Sequence, residues 1–269
     1  MTCPAITKSY DTLNLTLPDP HIVKVEMHRP EAANAFNTQM ATEMVTFFEE
    51  FSLNFGSCRA VILTGSGTRA FCAGGDLKER NGMSDAQWQA QHLVYERMVR
   101  AIMGCPVPII AAVNGAAYGG GCELAAMADF VYAARHARFA QTEVKLGIIP
   151  GAGGTQNLSR AIGERRAKEL ILSGRVFSAE DAHSWGLVNA VFEGDQLLAE
   201  TENIARQIAD NGPIAVRQAK QAITRGMNMS LADGLAFEIE AYNRAVPTKD
   251  RLEGVAAFNE KRKPNFTGH

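Results

Sequence analysis

Residues 109–134 read IIAAVNGAAYGGGCELAAMADFVYAA. The opening run, Ile109 to Val113, is apolar without alternation, which is the pattern of a strand buried on both faces of an α/β sheet. Gly119, Gly120 and Gly121 then lead into ELAAMA, an apolar helix, and Phe130 to Ala133 returns as a short strand. Strand, glycine turn, helix and strand in that order predict an α/β architecture. The glycines have two physical readings. Lacking Cβ atoms, they let the helix pack closely on the sheet. They also let a ligand approach the backbone where the first N–H groups of a helix have no partner, and such donors can hold a developing negative oxygen. Spacing alone leaves both readings open.

Glu123 falls in the first turn of that helix, inside CELAAMA. An acid in an apolar turn faces a desolvated region, which raises its pKa toward acid–base duty. The competing reading is a solvated partner of the helix dipole. Glu143 follows in AQTEVKLGIIPG, where a lone glutamate reads as a surface charge. The two acids become a pair only if the strands between them fold back to bring them together.

Upstream, His21 to Met27 (HIVKVEM) alternates and predicts a half-exposed strand. Met40, Met44, Phe47, Phe48 and Phe51 recur at helical spacing, predicting an amphipathic helix over 38–54 with an aromatic core stripe. Ala60 to Thr64 (AVILT) is a second buried strand, broken by Gly65-Ser66-Gly67. Residues 71–82 read as a loop, and 84–104 as a long helix with Trp88, Leu93, Val99, Ile102 and Met103 turned inward. Downstream, Arg138 to Ala140 is a short strand, and PGAGGTQ (150–156) opens a helix near 155–173. Ser178 and Asp181 form a capping box, and Val188 to Phe192 is the last strand. Beyond it only helices are expected, over 197–210, 213–226 and 231–245, before a basic tail. The chain divides into an α/β core over 1–195 and a helical region over 196–269.

Several function classes drop out. A net charge of −2 gives no attraction for nucleic acid or acidic membranes. No apolar run reaches the ~18 residues a membrane span needs. The start, MTCPAITKSYDTLNL, has neither a basic-then-apolar order nor an arginine, so no targeting segment is expected. Cys3, Cys58, Cys72, Cys105 and Cys122 are scattered and never CxxC, and the histidines form no HExxH, which predicts neither a disulfide framework nor a metal site. A reduced, cytoplasmic setting follows. Without GK[ST] or GxGxxG, no nucleotide cofactor is indicated.

FCAGGDLKE (71–79), NGAAYGGGCELAAMADFVYAA (114–134) and FAQTEVKLGIIPGAGGTQNLSR (139–160) together resemble the crotonase, or enoyl-CoA hydratase/isomerase, superfamily. HRPEAANAFN (28–37) is similar to the family's N-terminal loop, and PTKDRLEGVAAFNEKRKPNF (247–266) to its C-terminal segment. The resemblance implies a crotonase-like spiral of ββα units, a C-terminal helical trimerisation region, a homotrimer or homohexamer, and a coenzyme A thioester as substrate. Coenzyme A is then part of the substrate, and no separate cofactor is implied. By motif position the oxyanion-hole N–H groups fall on Gly75 and Gly120, and the two hydratase glutamates on Glu123 and Glu143.

Hydrating an α,β-unsaturated thioester places negative charge on the carbonyl oxygen as water adds at the β-carbon. One fixed N–H donor to that oxygen is worth about 3–4 kcal/mol. The resemblance gives Glu143 the α-proton and Glu123 the water. It runs the coenzyme past Asn34, Ala35 and the Ala73 backbone, with Lys78 near its phosphates and Phe258 and Lys261 reaching in from a neighbouring subunit. Enoyl-CoA hydration is the expected activity, in fatty-acid or branched amino-acid breakdown. A Δ3,Δ2-enoyl-CoA isomerase, or another crotonase-family CoA-thioester enzyme such as a methylglutaconyl-CoA hydratase, is the alternative.

DLKER, KELILSGRVFSAEDAHSWGLV and VPTKDRLEG are further similar to methylglutaconyl-CoA hydratases, one of which binds RNA through a lysine-lined helix. Here residues 38–55 hold no Lys or Arg but do hold Glu43, Glu49 and Glu50, so phosphate contact by that face would be repulsive and no RNA partner is expected.

Overall fold

The computed structural model describes residues 8–269. β1 (Leu13–Asp19) and β2 (Ile22–Met27) form an antiparallel pair, and β2 shows the expected alternation. α1 (Thr38–Leu53) is capped by Asn37, whose side chain accepts from the Met40 N–H, and its Phe47, Phe48 and Phe51 are fully buried. Three strand–strand–helix passages follow. The first comprises β3 (Ala60–Gly65), β4 (Ala70–Cys72), the single turn α2 (Leu77–Arg80) and α3 (Asp85–Met103). The second is β5 (Ile109–Val113), β6 (Ala116–Tyr118) and α4 (Gly120–Met127). The third is β7 (Phe130–Ala134), β8 (Arg138–Ala140) and α5 (Gly154–Ile162).

Each passage places its first strand in one sheet and its second in another. With β9 (Phe177–Ser178) and β10 (Ala190–Phe192), the larger sheet runs β1-β2-β3-β5-β7-β10 and the smaller β4-β6-β8-β9. Pairing is parallel from β2 to β10 and from β4 to β8. β3 and β5 are buried along their whole length, as two-sided strands must be. This is the expected spiral of ββα units.

α6 (Glu164–Ser173) and α7 (Ala179–Trp185) lie between the third passage and the helical end of the chain. That end comprises α8 (Leu197–Ala209), α9 (Pro213–Gly226), α10 (Leu231–Ala245) and α11 (Lys249–Glu260). α8 packs on β3, β5 and β7, burying Leu197, Thr201, Ala205 and Ala209. α9 is tied to the core where Lys220 Nζ meets Asp129 Oδ2 at 2.7 Å and the Val107 carbonyl at 2.9 Å. Asp250 accepts from the Thr267 and Gly268 N–H groups, so the final residues double back on α11. Among the described residues no helix is long and apolar enough to cross a membrane.

Some elements differ from expectation. The helix expected near 155–173 is two, broken at Gly163 with φ 83°. On α3, Leu93 and Met103 are exposed; the buried face is Gln91, Tyr95, Met98 and Ile102. α11 interrupts the segment read as a tail. Cys72, Cys105 and Cys122 are free and buried, whereas Cys58 is disulfide-bonded, against the expectation of thiols throughout.

Candidate active site

The loop after β4 pairs with the segment before α1. Phe36 N–H donates to the Gly74 carbonyl and Asp76 N–H to the Phe36 carbonyl, both at 2.9 Å, while Ala73 N–H donates to the Ala33 carbonyl at 3.1 Å. These bonds form a parallel bridge between Phe36 and Gly75 that leaves the Gly75 N–H on its far side. Arg29 fastens the two segments: its Nη2 lies 2.9 Å from Asp76 Oδ2, and its Nη1 donates to the Ala35 carbonyl at 2.6 Å. Gly120 is the first residue of α4, where a backbone N–H has no intrahelical acceptor. A Cβ built on Gly74 would stand 3.1 Å from the Gly120 nitrogen, so the loop lies directly against the start of α4.

Strand register brings the acids together. β6 pairs in parallel with β8, Tyr118 facing Ala140, so the residues after one strand emerge beside those after the other. Gly119 N–H donates to the Ala140 carbonyl at 2.8 Å, and a Cβ on Gly119 would lie 3.1 Å from Glu143 Oε1. Glu123, one turn into α4, is 3% exposed, and Glu143 is 8% exposed. Both readings as solvated charges therefore fail. Glu123 Oε1 accepts from the Ala152 and Gly154 N–H groups at 2.8 and 2.7 Å. The glycine loop at 150–156 thus cradles an anion, but the anion is the protein's own carboxylate. The Gln141 carboxamide, its nitrogen turned toward Glu143, donates to Oε2 at 3.1 Å and Oε1 at 3.2 Å.

Burial pushes Glu123 up to about 7, the charge of Glu143 adds to the rise, and the two N–H bonds oppose it. Burial also raises Glu143, against backbone hydrogen bonds from its own N–H and that of Thr142. Both carboxyls are poised for proton exchange closer to neutrality than ordinary glutamates.

Gly75, Gly120, Glu123 and Glu143 all line one cavity of about 1010 Å³. α3 supplies much of its opposite wall through Trp88, His92, Leu93 and Tyr95. Arg80 stacks on Trp88 with its guanidinium carbon 4.1 Å from the ring centroid, and its Nε donates to Gln91 Oε1 at 2.7 Å. Leu77, Leu93, Leu146 and Ile149 line it too and remain exposed, so its margin is apolar.

The other residues singled out in the sequence are dispersed. Asn34 is 1% exposed with φ 55°; its Nδ2 donates to the Ser66 and Ala70 carbonyls, and its Oδ1 accepts from Ser66 Oγ and the Arg29 N–H. Its side chain is spent on holding the loop. Ala73 is exposed on the cavity wall, Ala35 is buried on the segment before α1 that pairs with the Ala73 loop, and Lys78 is exposed on α2. Phe258 and Lys261 stand exposed at the end of α11 and do not line the cavity within one chain. Phe36, Gln141, Tyr95 and Arg80 were not anticipated. Gln141, a polar residue directly after a short apolar strand, carried the one available signal.

The enoyl-CoA hydratase/isomerase family model matches residues 19–269. A short-chain-enoyl-CoA hydratase of Clostridium acetobutylicum is 42% identical over 242 residues, covering 90% of this chain and 92% of the relative. The human protein named enoyl-CoA hydratase domain-containing protein 2, mitochondrial, is 42% identical over 256 residues, covering 93% and 87%. The crystal structure of an enoyl-CoA hydratase from Bacillus anthracis superposes with a TM-score of 0.94 at 44% identity, covering 96% of this chain and 100% of that one.

Proposed function

The chain belongs to the enoyl-CoA hydratase/isomerase family, and from that premise we propose that its cavity hydrates an enoyl-CoA thioester, with Gly75 and Gly120 as the oxyanion donors and Glu123 and Glu143 as the acid–base pair. The supporting observation is the meeting of two buried carboxyls and two N–H donors on one cavity. Glu123 Oε1 is held by backbone, which leaves Oε2 to take a proton from water. The water oxygen bonds to the β-carbon, the double-bond electrons move toward the carbonyl, and the resulting enolate oxygen is held by the Gly75 and Gly120 N–H groups. Glu143, as the acid, then delivers its proton to the α-carbon. The coenzyme enters and leaves as part of the substrate.

The test is a panel of 2-enoyl-CoA thioesters of graded chain length and branching, followed by loss of the conjugated thioester's ultraviolet absorbance. Hydroxyacyl-CoA product from at least one member is expected. A panel that yields only 3-enoyl to 2-enoyl conversion would assign isomerisation instead.

We also propose that the molecule assembles through its C-terminal helices. Ile223, Met227, Leu231, Leu235, Ile239 and Tyr242 on and between α9 and α10 are all more than half exposed, a concentration of apolar surface unusual for a lone chain. The coenzyme would then run past Ala35, Ala73 and Lys78, with Phe258 and Lys261 supplied by the neighbouring copy. Light scattering should return a trimer or hexamer of the 29.1 kDa chain, and Leu235→Glu with Ile239→Glu should shift it toward monomer. A wild-type monomer at micromolar concentration would end this proposal. A cytoplasmic location is proposed as well, to be tested by cell fractionation; the human relative's name places that protein in mitochondria.

A further inference from the structure

One aromatic ring lies on the side-chain face of both glycines assigned above as oxyanion donors. A Cβ built on Gly75 would lie 3.8 Å from Phe36 Cε2, and one built on Gly120 would lie 2.5 Å from its Cζ and 2.7 Å from its Cε1. The outer edge of the ring therefore spans the loop that carries one donor and the helix that carries the other. The ring itself has little freedom. Phe36 is 2% exposed, and Tyr95 packs against it edge-to-face, with centroids 4.8 Å apart and planes at 85°. The Tyr95 hydroxyl donates to the Phe36 carbonyl at 3.3 Å. The Phe36 backbone grips Gly74 and Asp76 on either side of Gly75.

Resting on the assignment of Gly75 and Gly120 as donors, we propose that Phe36 is a positioning residue that sets the gap between them. Two donors stabilise an enolate oxygen only if both reach it at about 2.7–3.1 Å. Nothing in a glycine side chain can hold that separation, because there is none. The Phe36 ring fills the place where side chains would otherwise meet, with the start of α4 resting on its edge. Gly74 already lies against the start of α4, so the ring fixes how the Gly75 end of the loop sits alongside the helix. Without it the two are free to shift past each other, and an error near 1 Å costs about 10²-fold in rate. The Arg29–Asp76 ion pair and the Asn34 hydrogen bonds to the Ser66 and Ala70 carbonyls tie the segment before α1 to the residues on both sides of β4, so truncating the ring leaves the Gly74–Gly75 loop attached.

The probe is butanoyl-CoA labelled with carbon-13 at the thioester carbonyl, a saturated ligand that cannot be hydrated. Its carbonyl stretch is read by difference infrared spectroscopy on the intact protein. Binding to the wild type should move the stretch to lower frequency. Phe36→Ala should lose most of that shift and about 10²-fold in kcat toward crotonyl-CoA, with KM changed by less than about threefold. Phe36→Leu should recover part of both. A ring that merely filled the core would lower thermal stability and leave the carbonyl shift intact. A folded Phe36→Ala with full shift and full kcat overturns the spacer role alone. Absence of the shift in the wild type overturns the donor assignment and the spacer with it. Should Phe36→Ala fail to fold, Phe36→Leu decides by the same criterion: an undiminished shift overturns the proposal.

Discussion

Glutamine at position 143 should lower kcat for hydration by about 10²–10⁴-fold, and glutamine at position 123 by a similar factor, with thioester binding nearly intact. The amide keeps the shape of each side chain. Gln at 123 can still accept from the Ala152 and Gly154 N–H groups, and Gln at 143 can still accept from Gln141. What each variant loses is a proton it can give or take. The pH dependence has a definite sign. Hydration needs one carboxyl ionised and the other protonated. Burial lifts both, Glu123 to about 7, so the pair still shares a proton as neutrality is approached. Raising the pH through that region strips the last proton, and kcat/KM should fall. Lowering it until both are protonated should also reduce the rate, because no base remains. Removing the Glu143 charge removes one of the causes that raises Glu123, so in Glu143→Gln the Glu123 titration should move to lower pH. Carbon NMR of labelled glutamate measures it directly. Turnover near wild type in either variant would reject the acid–base roles, and an upward move of Glu123 would reject the coupling.

The strands that decide the fold were readable because they are buried on both faces. Ala60–Gly65 and Ile109–Val113 have no exposed position, so their composition is continuous and apolar. Ala70–Cys72, Ala116–Tyr118 and Phe177–Ser178 were not readable. Strands of two or three residues have no period to detect, and only their neighbours in the smaller sheet define them. β1 was missed for a different reason: it is an edge strand whose alternate positions are only half-buried. α11 buries only Asp250 and Ala257, which leaves no apolar stripe to follow. On α3 the inward face includes Gln91, which bonds Thr38 Oγ1 and Glu79 Oε2, so hydrophobic spacing pointed Leu93 to the wrong side.

At the site, the glycine run resolves residue by residue. Gly119 takes the positive φ of the turn, at 52°. Gly121 serves packing, since a Cβ there would overlap the Cys72 carbonyl oxygen at 1.9 Å. Gly120 is the one whose N–H stands at the head of α4 facing the cavity loop. The packing reading left open by spacing thus holds at Gly121, and Gly120 is the position at which the donor reading is proposed. Glu123 was legible from its apolar turn, while Glu143 depended on the β6–β8 register, which no local pattern encodes.

Gly120→Ala is expected to cost about 10²–10³-fold in kcat, close to the loss of a whole oxyanion donor, although alanine keeps its N–H. The added Cβ would stand 2.5 Å from Phe36 Cζ, well inside any real contact distance, and the ring is pinned by Tyr95 and its own backbone bonds. The start of α4 must therefore move, and its N–H moves with it. Gly120→Pro carries the same clash and also removes the donor. Proline is otherwise suited to the first position of a helix, and Gly119, with no Cβ, best tolerates a following proline. In the wild-type background the two variants should look alike, which says nothing about the N–H. They separate once the ring is gone. With Phe36→Ala as background, the alanine methyl enters vacated space and Gly120→Ala should add little further loss. Gly120→Pro in that background should still cost at least tenfold, because position 120 no longer offers an N–H and only the Gly75 donor remains. Equal additional losses from alanine and proline without the ring would show that position 120 acts by shape alone. A proline variant that stayed folded and kept wild-type kcat would remove Gly120 from the oxyanion hole altogether.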